Sequence, residues 1–255
     1  MKITILGSGS AYGSPMSFNN WGKIKNSDNP KNRRTRPSLL LEQDGRRLLV
    51  DMGPDFRTQM NDNNVTGIDA IFLTHPHYDH IGGVPELGRV CCLLQKGIDV
   101  YASDETLADL QQSYGYMFRP NHEPGLGDIV WHEISEGSLS LLGWNLDVFS
   151  VPHHRWRSYG FRIGNFAYVT DLQDLPEDVR GKLKGLDLLL IECNNGMETV
   201  HNGHSNYPLI KKWLEEIRPR HTVLTHLSTR VDYDGFKAQL PKSVEPAYDG
   251  MILEV

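Results

Sequence analysis

Short apolar runs separated by turn residues set the rhythm of this chain. Strand-like runs fall at Lys2–Leu6, Ser38–Glu42, Arg46–Val50, Ala70–Leu73 and Asp99–Tyr101. Asp44-Gly45, between the second and third, predicts a tight hairpin. The period then changes. Val84, Leu87, Val90, Cys91 and Leu94 recur at helical spacing and predict a helix over Gly83–Gln95. Ser103 stands where it can cap a second helix, over Asp104–Gln112. The second half repeats the theme, with strands near Ile129–Ile134, Trp144–Val151, Ser158–Ile163, Asn165–Val169, Asp187–Glu192 and Thr222–Thr225. Helices are expected near Pro176–Lys184 and Pro208–Ile217, and Gly250–Val255 closes as a strand. No repeat and no low-complexity linker interrupts the pattern. Periodicity alone gives mixed α and β.

Composition narrows the class. At 255 residues, the chain can form one large domain or two small ones, and 39% hydrophobic content supports a buried core. A net charge of −6 argues against wholesale electrostatic binding to nucleic acid. Cys91, Cys92 and Cys193 form no C-x-x-C pair, and adjacent cysteines would close a strained ring, so a reducing compartment is expected. The first residues form a short strand with no long apolar signal region, and no stretch approaches a membrane span. A cytoplasmic protein is expected.

The chemistry concentrates in Thr74-His75-Pro76-His77-Tyr78-Asp79-His80. Three histidines and an aspartate follow directly on an apolar run, which reads as a buried strand delivering side chains to an edge. Imidazole and carboxylate suit zinc, manganese or iron, and four potential ligands exceed the three that one catalytic ion usually takes from protein. Two adjacent ions are expected. Further ligand types close later strand-like runs: His153 and His154 after Val151-Pro152, Asp171 after Val169-Thr170, and His226 after Leu224-Thr225.

In that order and spacing the chain resembles the metallo-β-lactamase-fold hydrolases along nearly its whole length. The resemblance implies a four-layer αββα sandwich, an α+β fold spanning residues 1–255 as one domain. It implies that one metal takes His75, His77 and a downstream histidine, and that the other takes Asp79, His80 and His226, with Asp171 bridging. His153 and His154 are adjacent and cannot both reach one ion from an extended strand. Relatives favour His153, since the Gly160-Phe161-Arg162-Ile163 strand follows at the expected distance. Asp79 is counted among the catalytic groups as well as the ligands. Asp51, in Asp51-Met52-Gly53-Pro54, reads either as a helix cap or turn or as a carboxylate that orients ligands or the attacking hydroxide.

Asp51–Arg57, Gly7–Pro15 and Asn32–Ser38 resemble one branch in particular: the phosphodiesterases of the carbon–phosphorus lyase pathway and the pyrroloquinoline quinone biosynthesis B proteins. By that resemblance His204 faces the substrate and donates a proton to the leaving oxygen, with His201 a weaker candidate and His122, His132 and His221 structural. The implied function is hydrolysis of a small phosphodiester, a cyclic ribose phosphate or nucleotide-like molecule, with two manganese or zinc ions, in a chain whose relatives are commonly homodimers. An accessory protein of quinone biosynthesis and a transfer-RNA 3′-processing nuclease are the alternatives. The G-x-G-x-x-x-G spacing of Gly7–Gly13 has Pro15 after it, which argues against a nucleotide loop. Arg33, Arg34 and Arg36 read as a solvated face. One departure is plain: the cysteine cluster that builds a structural zinc site in the phosphonate-pathway enzyme is replaced after Trp21-Gly22 by Lys23-Ile24-Lys25-Asn26.

Overall fold

A computed structural model describes residues 1–119, 128–200 and 202–255. His122 and His201 lie outside the described residues. Among these described residues fourteen strands form two seven-stranded sheets. The first sheet contains β1 (Lys2–Gly7), β2 (Ser38–Gln43), β3 (Arg46–Val50), β4 (Ala70–Phe72), β5 (Ile98–Ser103) and β6 (Ile129–Ile134), with β14 (Met251–Glu254) beside β1. The second contains β7 (Gly137–Leu141), β8 (Trp144–His153), β9 (Trp156–Ile163), β10 (Phe166–Val169), β11 (Leu188–Glu192), β12 (His221–Thr225) and β13 (Val244–Pro246), in sequential order. The helices are α1 (Phe56–Asp62), α2 (Tyr78–Ile81), α3 (Leu87–Leu94), α4 (Asp104–Tyr114), α5 (Glu177–Lys182), α6 (Tyr207–Ile217) and α7 (Tyr233–Lys237).

Strand alternation explains why the apolar runs are unbroken. Leu39, Leu41, Leu48 and Val50 point to the core between the sheets, where they meet Val148, Phe161, Phe166 and Tyr168. Their neighbours Leu40 and Leu49 point the other way, onto Phe56, Leu87, Cys91 and Leu110. In the second sheet Ala167, Val169, Leu189 and Ile191 pack outward against Val179, Ile210, Trp213 and Ile217. Each sheet is therefore covered on both faces, so its strands need apolar residues at successive positions. The result is the expected four-layer sandwich of helices, sheet, sheet and helices.

Local chemistry sets the boundaries. Asp44 and Gly45 both adopt positive φ, 52° and 74°, as the tight β2–β3 turn requires. The Ser103 hydroxyl accepts from Thr106 N and starts α4. The helix expected over Gly83–Gln95 begins as a short 3₁₀ turn at Val84–Glu86, because Pro85 removes a donor, and continues as α3. Periodicity missed α1, α2, α7, β7 and β13, which are three to seven residues long and too short for a period to show.

Of the arginine cluster only Arg33 is exposed, as a solvated face requires; Arg34 and Arg36 are not. Arg34 is buried, donates to Asn32 Oδ1 at 3.0 Å and to Val231 O at 2.9 Å, and burial lowers its guanidinium to about 10. Arg36 is partly buried and pairs with Asp55 at 3.0 Å. The segment after Trp21-Gly22 is tied down by a carboxylate: Asp232 Oδ1 accepts from Lys25 N, Asn26 N and Asn32 Nδ2, while Oδ2 accepts from Gly235 N and caps α7. Gly7 belongs to the same N-terminal packing, since a Cβ there would meet Arg36 O at 1.9 Å.

Candidate metal centre

The ligand types converge where strands of both sheets end. From the first sheet, β4 leads into the loop of His75 and His77 and then into α2, a single turn carrying Asp79 and His80. The single helical turn puts Asp79 and His80 beside each other and apart from His75 and His77. From the second sheet, β8 ends on His153, β10 stops just before Asp171, and β12 just before His226. Asp171 and His226 hold positive φ, 50° and 55°, as does Asp51 at 63° after β3. Left-handed backbone is costly for residues with a side chain and is found where the surroundings over-determine it. Here it swings the side chain off the strand end towards the cluster.

Four overlapping groups of potential ligands result among the described residues. His75, His77 and His153 form the first, and Asp79, His80, Asp171 and His226 the second, each with ligand atoms close enough to share an ion. The other two are the sets His153, His154, His204 and Glu192, His204, His226. In the first group, His77 Nδ1 lies 3.0 Å from His75 Nε2 and 3.1 Å from His153 Nε2. Ligands on a tetrahedral zinc with bonds of 2.0–2.1 Å stand about 3.3 Å apart, so this spacing fits a common ion. Asp171 sits between the first two groups. Its Oδ2 is 3.1 Å from His80 Nε2, and its Oδ1 is 3.2 Å from His226 Nε2, 3.7 Å from His153 Nε2 and 4.0 Å from His75 Nε2. His154, at φ 51°, is exposed and stands outside the first group.

A buried outer layer fixes the rings. Asp51 is fully buried; it accepts from His80 Nδ1 at 2.6 Å and from Thr74 N at 2.8 Å. It does not cap α1, where Asp55 occupies the cap position. The Thr74 hydroxyl bridges Asp51 to His75 Nδ1 at 3.0 Å. His153 Nδ1 faces Gly203 O at 3.2 Å, and Asn194 Nδ2 lies 3.1 Å from His226 Nδ1. With Nδ1 engaged, Nε2 of His75, His80, His153 and His226 is directed at the cluster.

The electrostatics fit cations. Burial, reinforced by the His80 charge, pushes the His75 imidazole well below its usual value, and burial takes His153 down to about 3. Both are neutral ligands at pH 7. Burial alone would raise Asp79 and Asp171, but the surrounding imidazoles hold both well below the carboxylate range. Burial would likewise lower His80, yet Asp51, Asp171 and Asp79 override it and hold the ring protonated. Even so, His80 Nε2 makes no well-aligned hydrogen bond in its buried position, although Asp171 Oδ2 and Asp79 Oδ2 lie 3.1 and 3.3 Å away. Two carboxylates facing that ring nitrogen, with a third on the opposite side of the ring, make a negative pocket that an ion satisfies better than a proton does.

A cavity of ≈ 700 Å³ opens over the cluster, with His77, Asp79 and His204 in its lining. His204 is partly buried, and its Nδ1 lies 2.9 Å from Glu192 Oε1 and 3.8 Å from Asp171 Oδ1. Burial would lower its imidazole, but Glu192 outweighs burial and pushes it up to about 9. Glu192, fully buried, also accepts from Ser205 N and Leu172 N. Sequence reasoning missed Glu192, Thr74 and Asn194. Glu192 carried a usable signal: it ends an apolar strand, just as Asp51 and Asp171 follow theirs. The histidines read as structural pair elsewhere, His132 with Asp99 at 2.6 Å and His221 with Glu245 at 3.1 Å.

The profile of the beta-lactamase superfamily domain matches residues 46–227. A crystal structure described as a new diphosphatase from the PhnP family superposes with a TM-score of 0.90 at 30% identity, covering 100% of this chain and 97% of that one. The chain is also 30% identical to an octanoyltransferase of Porphyromonas gingivalis over 98% of its own length but only 51% of that protein. It therefore spans about half the length of that relative. Against a ribonuclease Z of Methanopyrus kandleri it is 26% identical over 89% of its length and 94% of the relative. With that profile covering most of the chain and the sandwich shared across its full length, the protein belongs to the metallo-β-lactamase superfamily.

Proposed function

We propose that this protein is a phosphodiesterase that uses two divalent transition metal ions, manganese or zinc, to hydrolyse a small cyclic ribose phosphate or nucleotide-like diester. One observation carries the reading: Asp171 lies between two ligand groups under a cavity that also holds His204 on a buried carboxylate. His75, His77 and His153 would hold one ion, and Asp79, His80 and His226 the other, with Asp171 offering an oxygen to each. Bound there, such ions supply a water of lowered pKa and positive charge for the phosphoryl oxygens. The remaining tasks belong to the chain. Asp51 takes the Nδ1 proton of His80, and Gly203 O that of His153, which fixes both tautomers and leaves Nε2 as a lone pair. Asn194 Nδ2, 3.1 Å from His226 Nδ1, helps to orient that ring. Glu192 holds the Nδ1 proton of His204, so the Nε2 proton is the one delivered to the leaving oxygen as the P–O bond breaks.

Relatives named for a diphosphatase and a ribonuclease favour phosphorus as the centre attacked. The octanoyltransferase name belongs to a protein about twice as long and is not carried over to this chain. A nuclease reading draws support from the match along most of the ribonuclease Z, while the charge of −6 counts against it. Among the described residues no helix is long and apolar enough to cross a membrane. From the resemblance alone we infer a cytoplasmic homodimer; sedimentation would check the dimer.

The test pairs metal analysis with a substrate panel. After reconstitution with manganese or zinc, elemental analysis should find two ions per chain. Bis(p-nitrophenyl) phosphate should turn over faster than p-nitrophenyl phosphate, a lactoylglutathione thioester or a cephalosporin. Less than one ion per chain sinks the reading, and preferential cleavage of a precursor transfer RNA moves it to the nuclease.

A further inference from the structure

Two tyrosines, Tyr12 and Tyr78, line the cavity over the histidine–aspartate cluster. They are 72% and 62% exposed. Among the described residues neither ring stacks on another aromatic, and neither hydroxyl makes a hydrogen bond. Each is apolar surface left in water without a partner. Single exposed aromatics are ordinary on a folded surface. Phe18 and Tyr116 are such cases, and neither lines this cavity. Two rings at the mouth of one cavity call for another account.

Both rings stand on fixed backbone. Tyr12 lies in a turn closed by Gly13 N, which donates to Ser10 O at 2.8 Å. The turn is tied down on each side: Ser10 N donates to Leu227 O at 3.2 Å, Ser14 N to Arg34 O at 2.8 Å, and Arg36 Nε to Ala11 O at 3.2 Å. Gly13 turns the chain at φ +66, where a side chain would be strained. Tyr78 opens α2, between His77 and Asp79. Its ring lies against Gly82, where a Cβ would meet Tyr78 Cε2 at 2.7 Å. A tyrosine has only about two side-chain torsions to fix, so a ring on rigid backbone offers contact area at low entropic cost. No loop has to be ordered for these two rings to receive a ligand.

We propose that Tyr12 and Tyr78 form a stacking subsite at the mouth of the cavity, which takes a planar ring of the substrate, a nucleobase. The proposal rests on the phosphodiesterase reading and narrows it to nucleotides, because a bare ribose phosphate has no π-face to offer. Stacking on an aromatic side chain accepts any base, since each has such a face. Recognition is therefore by the ring and not by its hydrogen-bonding edge, and a purine, with the larger face, gains more than a pyrimidine. A cationic group is the other occupant that aromatic faces attract. Lys23 and Arg230 line the same cavity and would repel it.

The experiment compares matched substrates on the full-length, metal-loaded protein. Adenosine 2′,3′-cyclic phosphate is set against methyl riboside 2,3-cyclic phosphate, and adenosine 5′-(p-nitrophenyl phosphate) against methyl riboside 5-(p-nitrophenyl phosphate). Each pair differs by the base alone. The wild type should prefer the base-bearing member of at least one pair by about tenfold in kcat/KM, which is within the worth of stacking a base on an aromatic side chain. In Tyr12→Ala and Tyr78→Ala that preference should fall towards one through KM. In Tyr12→Phe and Tyr78→Phe most of it should remain, because the ring carries it. Metal content is measured on each variant, and if Tyr78→Ala loses metal then Tyr12→Ala alone decides. An unchanged preference in the alanine variants overturns the proposal. Phenylalanine variants as impaired as the alanine ones overturn it too, since the hydroxyl would then be the active group, and so does an equal loss on both members of a pair, which signals general damage. If the wild type hydrolyses bis(p-nitrophenyl) phosphate but shows no preference in either pair, the subsite falls and the phosphodiesterase reading stands. If it hydrolyses no diester, both fall. A preference seen only with oligonucleotides would assign the rings to a nucleic-acid strand and overturn the small-molecule form.

Discussion

At the scale of single residues, Asp171 is the group whose loss should cost most. It lies within 4.0 Å of ring nitrogens of His75, His80, His153, His204 and His226. Asp171→Ala should lower both metal content and turnover by more than any single histidine change, because two ions would repel with no carboxylate between them. Paired elemental analysis and kinetics check this, and normal values for both would refute the ligand scheme. The adjacent histidines should part ways. His153→Ala should reduce metal occupancy, whereas His154→Ala should change substrate kinetics with metal retained; the reverse pattern would make His154 the ligand. His204→Ala should keep its metals and slow hydrolysis by roughly 10²–10⁴-fold on a diester with an alkoxide leaving group. The defect should be small with p-nitrophenolate, which leaves without protonation. Equal defects on the two substrates would make His204 a positioning group.

At the scale of elements, the pairing of strand ends with left-handed residues is what aims the site, and one carboxylate does comparable work for the N-terminal segment. Asp232 joins residues 25–32 to the start of α7 through four accepted hydrogen bonds. Asp232→Ala should destabilise the fold by about 1–3 kcal/mol, the worth of a helix cap plus further charged hydrogen bonds. Urea unfolding measures it. The pH dependence has a definite sign. Partial burial pushes the Asp232 carboxyl up, but the N–H donors of Gly235, Asn26 and Lys25 and the Asn32 side chain hold it below its ordinary 3.8. Its contribution is therefore fully present above about pH 4 and lost as pH falls through the lower folded value. The stability difference between the wild type and Asp232→Ala should shrink on acidification below pH 4, and a difference that grows there would contradict the assignment.

At the scale of the whole molecule, the two sheets and the bound ions should stabilise each other. The ligands come from both sheets, so ions at this seam bind the folded chain and not the unfolded one. At 100 times the dissociation constant, one ion adds about 2.7 kcal/mol, and in a chain of this size each kcal/mol moves the melting temperature by about 2–4 °C. Chelation should lower the melting temperature by roughly 5–10 °C per ion, with recovery on adding manganese or zinc. A melting temperature indifferent to chelator would mean that the seam is closed without metal.

The sequence by itself determined most of the strands and most of the longer helices, because burial on both faces writes unbroken apolar runs and turn chemistry marks their ends. It also placed His75, His77, Asp79, His80, His153, Asp171 and His226 at or just past strand ends, which is where an α/β edge presents its side chains. Three things were beyond it, each for the reason that no local pattern encodes them. The α2 turn is too short to show a period, so the helical turn that carries Asp79 and His80 was not legible. Asp51 and Glu192 act through residues 29 and 12 positions away, His80 and His204, and only packing of the strand ends brings each pair within reach. The burial of Arg34 depends on the N-terminal segment folding across the C-terminal half. Single-residue chemistry is carried in the chain; the partners of each charge are decided by the tertiary fold.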